Sequence, residues 1–307
     1  MITQILDDFD LEKIAQSGQC FRWEKTSDAI DHAPGCLMDQ PGVEKPEKAA
    51  GSTGGPCTYR ILAGDSCLYI TAPDAAQGLY ELDCPEEDFS GFWYRYFDLD
   101  ENYSRIRERI DPTQDPFLWA AAEQEKGIRI LRQDPWEMLI TFIISQNKNI
   151  PGIRRCVEAL AQSCGSKKYD SRGLSYYAFP TPQQVASLSE EALAECRLGY
   201  RCKYVKAAAE AVLSGSLNLE ELTEADEKNA MKSLTALYGV GVKVANCVSL
   251  FGLHHVDAFP IDVWVKRILA QEYPGGYPYQ QYSPYNGIYQ QYMFAYYRKL
   301  AAAEKQL

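Results

Sequence analysis

The stretch Leu237-Tyr-Gly-Val-Gly-Val-Lys-Val-Ala-Asn-Cys247 puts a lysine where a purely structural role does not want one. An amphipathic helix ends at Gly239, a second glycine follows two residues later, and a new helix starts at once, with Lys243 in its first turn. A cation there faces the positive end of the helix dipole, at a cost of about 0.3–1 kcal/mol. The same field, with partial burial, favours the neutral amine, which is the nucleophilic form. Further along, Asp262 stands in Ala258-Phe-Pro-Ile-Asp-Val-Trp264, between a Pro-containing turn and the basic apolar run 263–269. An aspartate at a helix start is by itself a plain cap. Together, an activated amine and a carboxylate suit a reaction that builds positive charge at a sugar carbon. The glycines offer a second chemistry. Gly239 and Gly241 permit positive φ and let backbone N–H groups approach a phosphate, to which the next helix adds its dipole. The same spacing also suits an αα-hairpin with no ligand.

Two kinds of element must position these groups. Residues 1–100 read as mostly β, with runs such as Thr58–Leu62, Cys67–Thr71 and Phe92–Phe97 between Gly and Asp turns. The segment 27–57, rich in Pro, Gly, Ala and acids, reads as a disordered insertion. From about residue 115 the helical period takes over. Trp136–Ile144 is apolar nearly all round and is expected as a buried helix. Ile153–Ala161, Pro182–Ala186, Ser189–Cys196, Tyr204–Ser214, Glu224–Leu237 and Lys243–Phe251 follow, with Ser189 and Thr223 as caps. Residues 273–297 hold nine tyrosines; 273–286 is expected as a surface loop before a last helix at 287–300. The expected architecture is α+β, with an N-terminal antiparallel β-sheet domain over 1–112 and an all-α domain over 113–307.

The 307 residues carry 31 Lys and Arg against 42 Asp and Glu, a formal charge of −11 that at first disfavours a polyanionic partner. The acidity is local. Residues 1–100 hold seven basic and nineteen acidic side chains, whereas 141–206 hold ten basic and five acidic ones. That excess fits a basic face, or equally a salt-bridged helical surface. The ten cysteines form no C-x-x-C pair and there are three histidines, which supports neither a zinc site nor a disulfide framework. No apolar stretch reaches membrane length, and MITQILDDFD has acids where an export signal needs bases, so an intracellular protein is expected, in the cytoplasm or nucleoid if bacterial.

LTALYGVGVKVANC followed by AFPIDVWVKRIL resembles the helix-hairpin-helix (HhH-GPD) glycosylases, and specifically the 8-oxoguanine DNA glycosylase/AP lyase family. Ser17–Trp23, Arg129–Pro135, Ser145–Ile150, Leu198–Tyr204 and Tyr285–Phe294 match family segments in the expected order. Only 27–57 and the tail after about 300 look unlike the family. The resemblance implies a base-excision repair enzyme for duplex DNA containing oxidised guanine, acting as a monomer without a cofactor. Lys243 would attack the anomeric carbon, expel the base and form a Schiff base, and elimination of the 3′ phosphate would nick the strand. Asp262 matches the essential carboxylate.

The same resemblance implies a base pocket of Gly18, Cys247, Pro260, Asp262, Gln290 and Phe294. The Gly18 carbonyl would accept the imidazole-ring hydrogen that only oxidised guanine carries. Cys247 and Phe294 would sandwich the base and Gln290 would read its pairing edge. Read alone, Cys247 is a core cysteine and Phe294 a core aromatic. Because the base must leave the stack, DNA contacts are implied for Asn147 and Tyr200, which fill the vacated space, for Arg201, which reads the orphaned cytosine, and for Gly239, Gly241 and Trp264. Two departures stand out. Eukaryotic members carry a second cytosine-reading arginine in an Asn-Ile-Ala-Arg run where this chain has Asn149-Ile-Pro-Gly152, so a weak opposite-base preference is expected. Trp264 stands where those members have a phosphate-contacting histidine.

Relatives with an iron–sulfur cluster carry four closely spaced C-terminal cysteines, and no cysteine follows Cys247. Alkylbase glycosylases lack the lysine. Outside the enzymes, the rival readings are a non-catalytic helix-hairpin-helix DNA-binding module and a protein-interaction domain.

Overall fold

The computed structural model describes residues 1–26, 57–74 and 77–303. The expected insertion lies outside the described residues, apart from Cys57, which opens a strand. Strands β1 (Ile2–Ile5), β2 (Trp23–Thr26), β3 (Cys57–Ala63), β4 (Ser66–Asp74) and β5 (Leu79–Leu82) form one antiparallel sheet in the order β1-β5-β4-β3-β2. The β3–β4 register sets Tyr59 opposite Ile70 and Ile61 opposite Leu68, and these four side chains are buried. Such cross-strand apolar pairs hold the register, because a one-residue slip would turn them to solvent.

The expected strand at Phe92–Phe97 is helical. Pro85 precedes Glu86–Asp88, a helical turn of three acids suited to the dipole, and the coil continues through Phe89–Trp93 and Tyr94–Tyr96. The aromatic run then packs its rings on one another, Phe92 on Trp93 at 4.9 Å and Trp93 on Phe97 at 5.8 Å. Short apolar runs do not separate strand from helix by periodicity.

The sequence segments that resembled the family near Ser17 and Arg129 form the joint between sheet and helices. The buried Gln19 side chain donates to Arg129 O and accepts from Leu131 N, both at 2.8 Å, while Gln133 Nε2 donates to Gln19 O at 2.9 Å. The Arg129 guanidinium donates to the carbonyls of Asp7, Asp8, Asp98 and Glu101. These buried polar groups are fully engaged, as burial requires, and they fix the Gly18 loop in place.

The helical part comprises α1 (Pro135–Ser145), α2 (Ile150–Cys164), α3 (Cys202–Leu213), α4 (Glu227–Thr235), α5 (Val242–Phe251), α6 (Val263–Glu272) and α7 (Asn286–Ala303), with shorter turns between. As expected, α1 is buried on all sides; Asp134 caps it by accepting from Glu137 N at 2.7 Å, with Pro135 at its start. This part is mostly helical rather than all-α, since Lys167–Tyr169 and Ser175–Tyr177 pair as a two-stranded hairpin. The helix expected over Glu224–Leu237 is split: Leu219–Glu224 ends before α4, whose cap is Asp226, accepting from Asn229 N at 2.9 Å. Thr223 is not a cap; its hydroxyl donates back to Leu219 O. Ser189 does cap, accepting from Ala192 N.

The stretch expected as a surface loop, 273–286, is exposed at 274–276, 279–281 and 284 but is pinned to the core by a few buried side chains. Tyr277 and Tyr282 are buried, Tyr279–Tyr282 makes a helical turn, and Tyr273 and Tyr282 both donate to Asp115 Oδ2, at 3.0 and 2.9 Å. Asp115 also caps Pro116–Gln124 through Leu118 N. Gly287 lets α7 approach the loop that leads to Pro260: a Cβ there would stand 2.5 Å from Ala258 O and from Leu250 Cδ1.

Candidate active site and nucleic-acid interface

Helices α4 and α5 are joined by a six-residue hairpin, 236–241, from which Lys243 emerges in the first turn of α5. The two glycines differ. Gly239 has φ +82°, and a Cβ on it would lie 2.2 Å from the Tyr204 ring, so conformation and packing both demand glycine. Gly241, although glycine permits a positive φ, does not take one. It is the N-cap of α5 at φ −90°, a conformation open to any residue, with nothing within 4 Å of a Cβ. Its missing side chain leaves the helix N-terminus open to solvent. Gly239→Ala is therefore expected to destabilise the protein by about 2 kcal/mol or more, and Gly241→Ala by about 1 kcal/mol or less. Denaturant unfolding of the two variants checks this, and equal losses would contradict it.

Lys243 is exposed, so the partial burial expected for it is not observed. Its Nζ sits 5.7 Å from the centroid of the buried Phe142 ring on α1 and within hydrogen-bonding reach of the Cys247 thiol one turn along α5. Burial pushes that thiol up, Lys243 opposes the shift, and Asp262 adds to it, so amine and carboxylate both act on the thiol. Among the described residues Lys243 joins no ion pair. Asp262 caps α6 through a single oxygen, Oδ1, which accepts from Trp264 N and Val265 N, both at 2.9 Å. The arrangement offers an exposed amine and a carboxylate held by its own helix, both acting on the Cys247 thiol.

Of the expected base-pocket residues, Gly18 (φ +83°) faces the Phe294 ring, whose Cε1 lies 3.8 Å from a Cβ built on the glycine. Cys247 and Gln290 are buried. The Gln290 amide donates to Pro260 O at 3.2 Å and its Oε1 accepts from Gln291 Nε2, so its pairing edge is occupied by the protein itself. A cavity of about 830 Å³ lies elsewhere, between the β3–β4 turn and His254, and includes none of the expected site residues. Among the described residues no cluster of His, Cys, Asp or Glu could hold a metal ion, and no helix is long and apolar enough to cross a membrane.

The expected DNA-contacting residues fall in two groups. Asn147 occupies the left-handed region at φ +49°, on the tight turn between α1 and α2, and its Nδ2 donates to Tyr200 Oη at 3.2 Å; both side chains are exposed. Arg201 is buried, with its guanidinium over the Tyr200 ring and donating to Leu198 O and Gln146 O. Trp264 is half-buried, stacked under Arg267 at 5.1 Å and against Tyr297. Asn149 caps α2 by accepting from Gly152 N, so the Asn-Ile-Pro-Gly run serves as a helix start.

Of the basic excess at 141–206, Arg155, Lys167, Arg172, Arg197 and Lys203 are exposed, while four others are engaged by the protein itself. Lys168 pairs with Asp65, Lys148 and Lys206 donate to carbonyls, and Arg201 is buried. Sequence reasoning missed Phe142, beneath the amine, and Asn246, whose Oδ1 accepts from Phe259 N and anchors the Pro260 loop. It also missed Arg298, over the Phe294 ring at 5.2 Å. Only Asn246 carried a signal, as the polar residue between Lys243 and Cys247 in the motif.

Comparison with known proteins gives two family profiles. One described as "8-oxoguanine DNA glycosylase, N-terminal domain" matches residues 1–139, and one described as "HhH-GPD superfamily base excision DNA repair protein" matches 140–274. The N-glycosylase/DNA lyase of Saccharomyces cerevisiae is 36% identical over 204 residues, covering 62% of this chain and 54% of that protein. The chain thus matches little more than half the length of that relative. The solved structure of MBOgg1 in complex with a low affinity DNA ligand superposes with a TM-score of 0.81 at 34% identity, covering 96% of this chain and 94% of the other. The 8-oxoguanine glycosylase/lyase of Clostridium acetobutylicum, in complex with double-stranded DNA containing cytosine opposite 8-oxoG, gives 0.79 at 29% identity over 98% and 99%.

Proposed function

Because this chain belongs to the 8-oxoguanine DNA glycosylase family of the HhH-GPD superfamily, we propose that it excises 8-oxoguanine from duplex DNA and nicks the resulting abasic strand. The observation that carries the reading is the exposed Lys243 amine in the first turn of α5, over the Phe142 ring at 5.7 Å and one turn from Cys247, whose thiol also feels the Asp262 carboxylate.

In this reading the N-glycosidic bond lengthens first, and the electron pair leaves with the base, which takes up the proton that the Lys243 amine sheds on bonding. Positive charge on the sugar ring is met by Asp262, and Lys243 Nζ forms the new bond to the anomeric carbon. Ring opening converts that adduct to a Schiff base. Loss of the adjacent C–H proton then expels the 3′ phosphate. The logic parallels glycoside hydrolysis with an amine in place of the nucleophilic carboxylate. Every group used belongs to the chain, and no cofactor or iron–sulfur cluster is invoked.

Base eversion requires a wedge, for which the exposed pair Asn147 and Tyr200 are suited. Gly239, Gly241 and Trp264 would meet the backbone. Arg201 and Gln290 would have to trade their present carbonyl partners for bases. The damaged base would lie between Cys247 and Phe294, with Gly18, Pro260 and Asp262 completing its pocket. The single observation favouring a binding-only module is the exposed open N-terminus at Gly241, which needs no chemistry. Borohydride trapping on a duplex containing 8-oxoguanine decides: a covalent adduct supports the enzyme, while binding without an adduct supports the module.

Two further expectations follow from the same residues. With Gly152 in place of a second arginine and Arg201 buried, excision rates with each of the four bases opposite the lesion should lie within about tenfold, since a lost bidentate contact removes roughly 1–3 kcal/mol of discrimination. A strong cytosine preference in that assay would refute the assignment. With a formal charge of −11 and with Lys148, Lys168, Arg201 and Lys206 engaged by the protein itself, binding should neutralise few phosphates, and log Kd should rise with log salt at a slope of only about 3. A slope near 8 in a titration series would reveal a larger footprint.

A further inference from the structure

We infer that Tyr204 is a positioning residue that locks the phosphate-binding hairpin to the base-everting wedge, so that the two engage DNA as one body. The inference rests on the function proposed above. The half-buried Tyr204 ring, on α3, touches both features: it meets Tyr238 of the hairpin edge-on at 5.0 Å and Tyr200 of the wedge at 5.8 Å, and it lies so close under Gly239 that no Cβ fits. A second path closes the circuit. Gly239 O accepts from Gln146 Nε2 at 3.1 Å, Gln146 is the residue before Asn147, and Gln146 O accepts from Arg201, whose guanidinium covers the Tyr200 ring at 4.3 Å. Asn147 Nδ2 then donates to Tyr200 Oη. Hairpin, ring and wedge therefore form a closed loop of contacts in which neither end shifts without the other.

Docking of the hairpin on a phosphate would then set the depth of the wedge, and the free energy of backbone contact would be available for unstacking the base. In this proposal Tyr204 acts through Gly239, Tyr238 and Tyr200 rather than on the sugar or the base. The contacts are made by its ring, and among the described residues its hydroxyl forms no hydrogen bond.

The test compares single-turnover strand cleavage on two duplexes, one with 8-oxoguanine and one with a preformed abasic site that has no base to unstack. Tyr204→Leu should lower the rate on the 8-oxoguanine duplex at least 30-fold and on the abasic duplex by no more than about threefold, with Tyr204→Phe restoring the first. Tyr238→Ala, at an exposed position that does not endanger folding, should show the same asymmetry at about fivefold. Equal losses on both duplexes, or none on either, would overturn the inference. If the wild-type protein cleaves the abasic duplex but not the 8-oxoguanine one, the proposed substrate fails rather than the coupling. The asymmetry of Tyr238→Ala on a duplex bearing a different damaged base then decides the coupling.

Discussion

Lys243→Gln is expected to abolish the borohydride-trapped adduct and to lower base release by at least about 10³-fold while leaving the protein folded and able to bind DNA. The loss is large because the variant removes the atom that forms the covalent bond, and with it the division of one hard step into two easier ones. Folding should be unharmed, since Lys243 is exposed and among the described residues has no carboxylate partner to strand. Removing a cation from the first turn of α5 should even stabilise it by about 0.3–1 kcal/mol. Trapping, single-turnover excision and thermal unfolding on one preparation separate these effects. An adduct that survives in Lys243→Gln would assign the nucleophile to another amine.

The spacing of this lysine made it legible in the sequence, because a motif of two glycines and a first-turn cation is local. What depended on distant partners was not legible. Nothing in 273–286 announces that Tyr273 and Tyr282 converge on Asp115, some 160 residues earlier, so the anchors that pin this largely exposed Pro- and Tyr-rich segment to the core cannot be read from its composition. The aromatic run at 92–97 likewise gave a strand reading, because the helical turn that redirects it depends on the acids before it. The two hairpin glycines read alike; only the ring of Tyr204 shows why one is indispensable and the other sets access instead. Arg201 and Gln290 were identified by resemblance, but their present engagement with carbonyls could not be read from residue type.

Asp262 allows structure and chemistry to be separated at one side chain. Both of its hydrogen bonds to the α6 backbone are accepted by Oδ1, and Oδ2 makes none among the described residues. Asparagine caps helices as well as aspartate does, so Asp262→Asn keeps the cap through its carbonyl oxygen and replaces only the second oxygen. Stability should change by no more than a few tenths of a kcal/mol, whereas base release should fall at least 10²-fold, about 3 kcal/mol of lost stabilisation of the sugar cation. Asp262→Ala loses the cap as well and should cost about 1 kcal/mol in unfolding. If Asp262→Asn excises normally, the carboxylate is only a cap. If it fails with a matching loss of stability, the positioning of α6 accounts for the defect. A folded, binding-competent variant that no longer releases the base places the negative charge itself in the reaction. In that case Lys243→Gln combined with Asp262→Asn should lose far less than the product of the two single losses, because both act on one transition state.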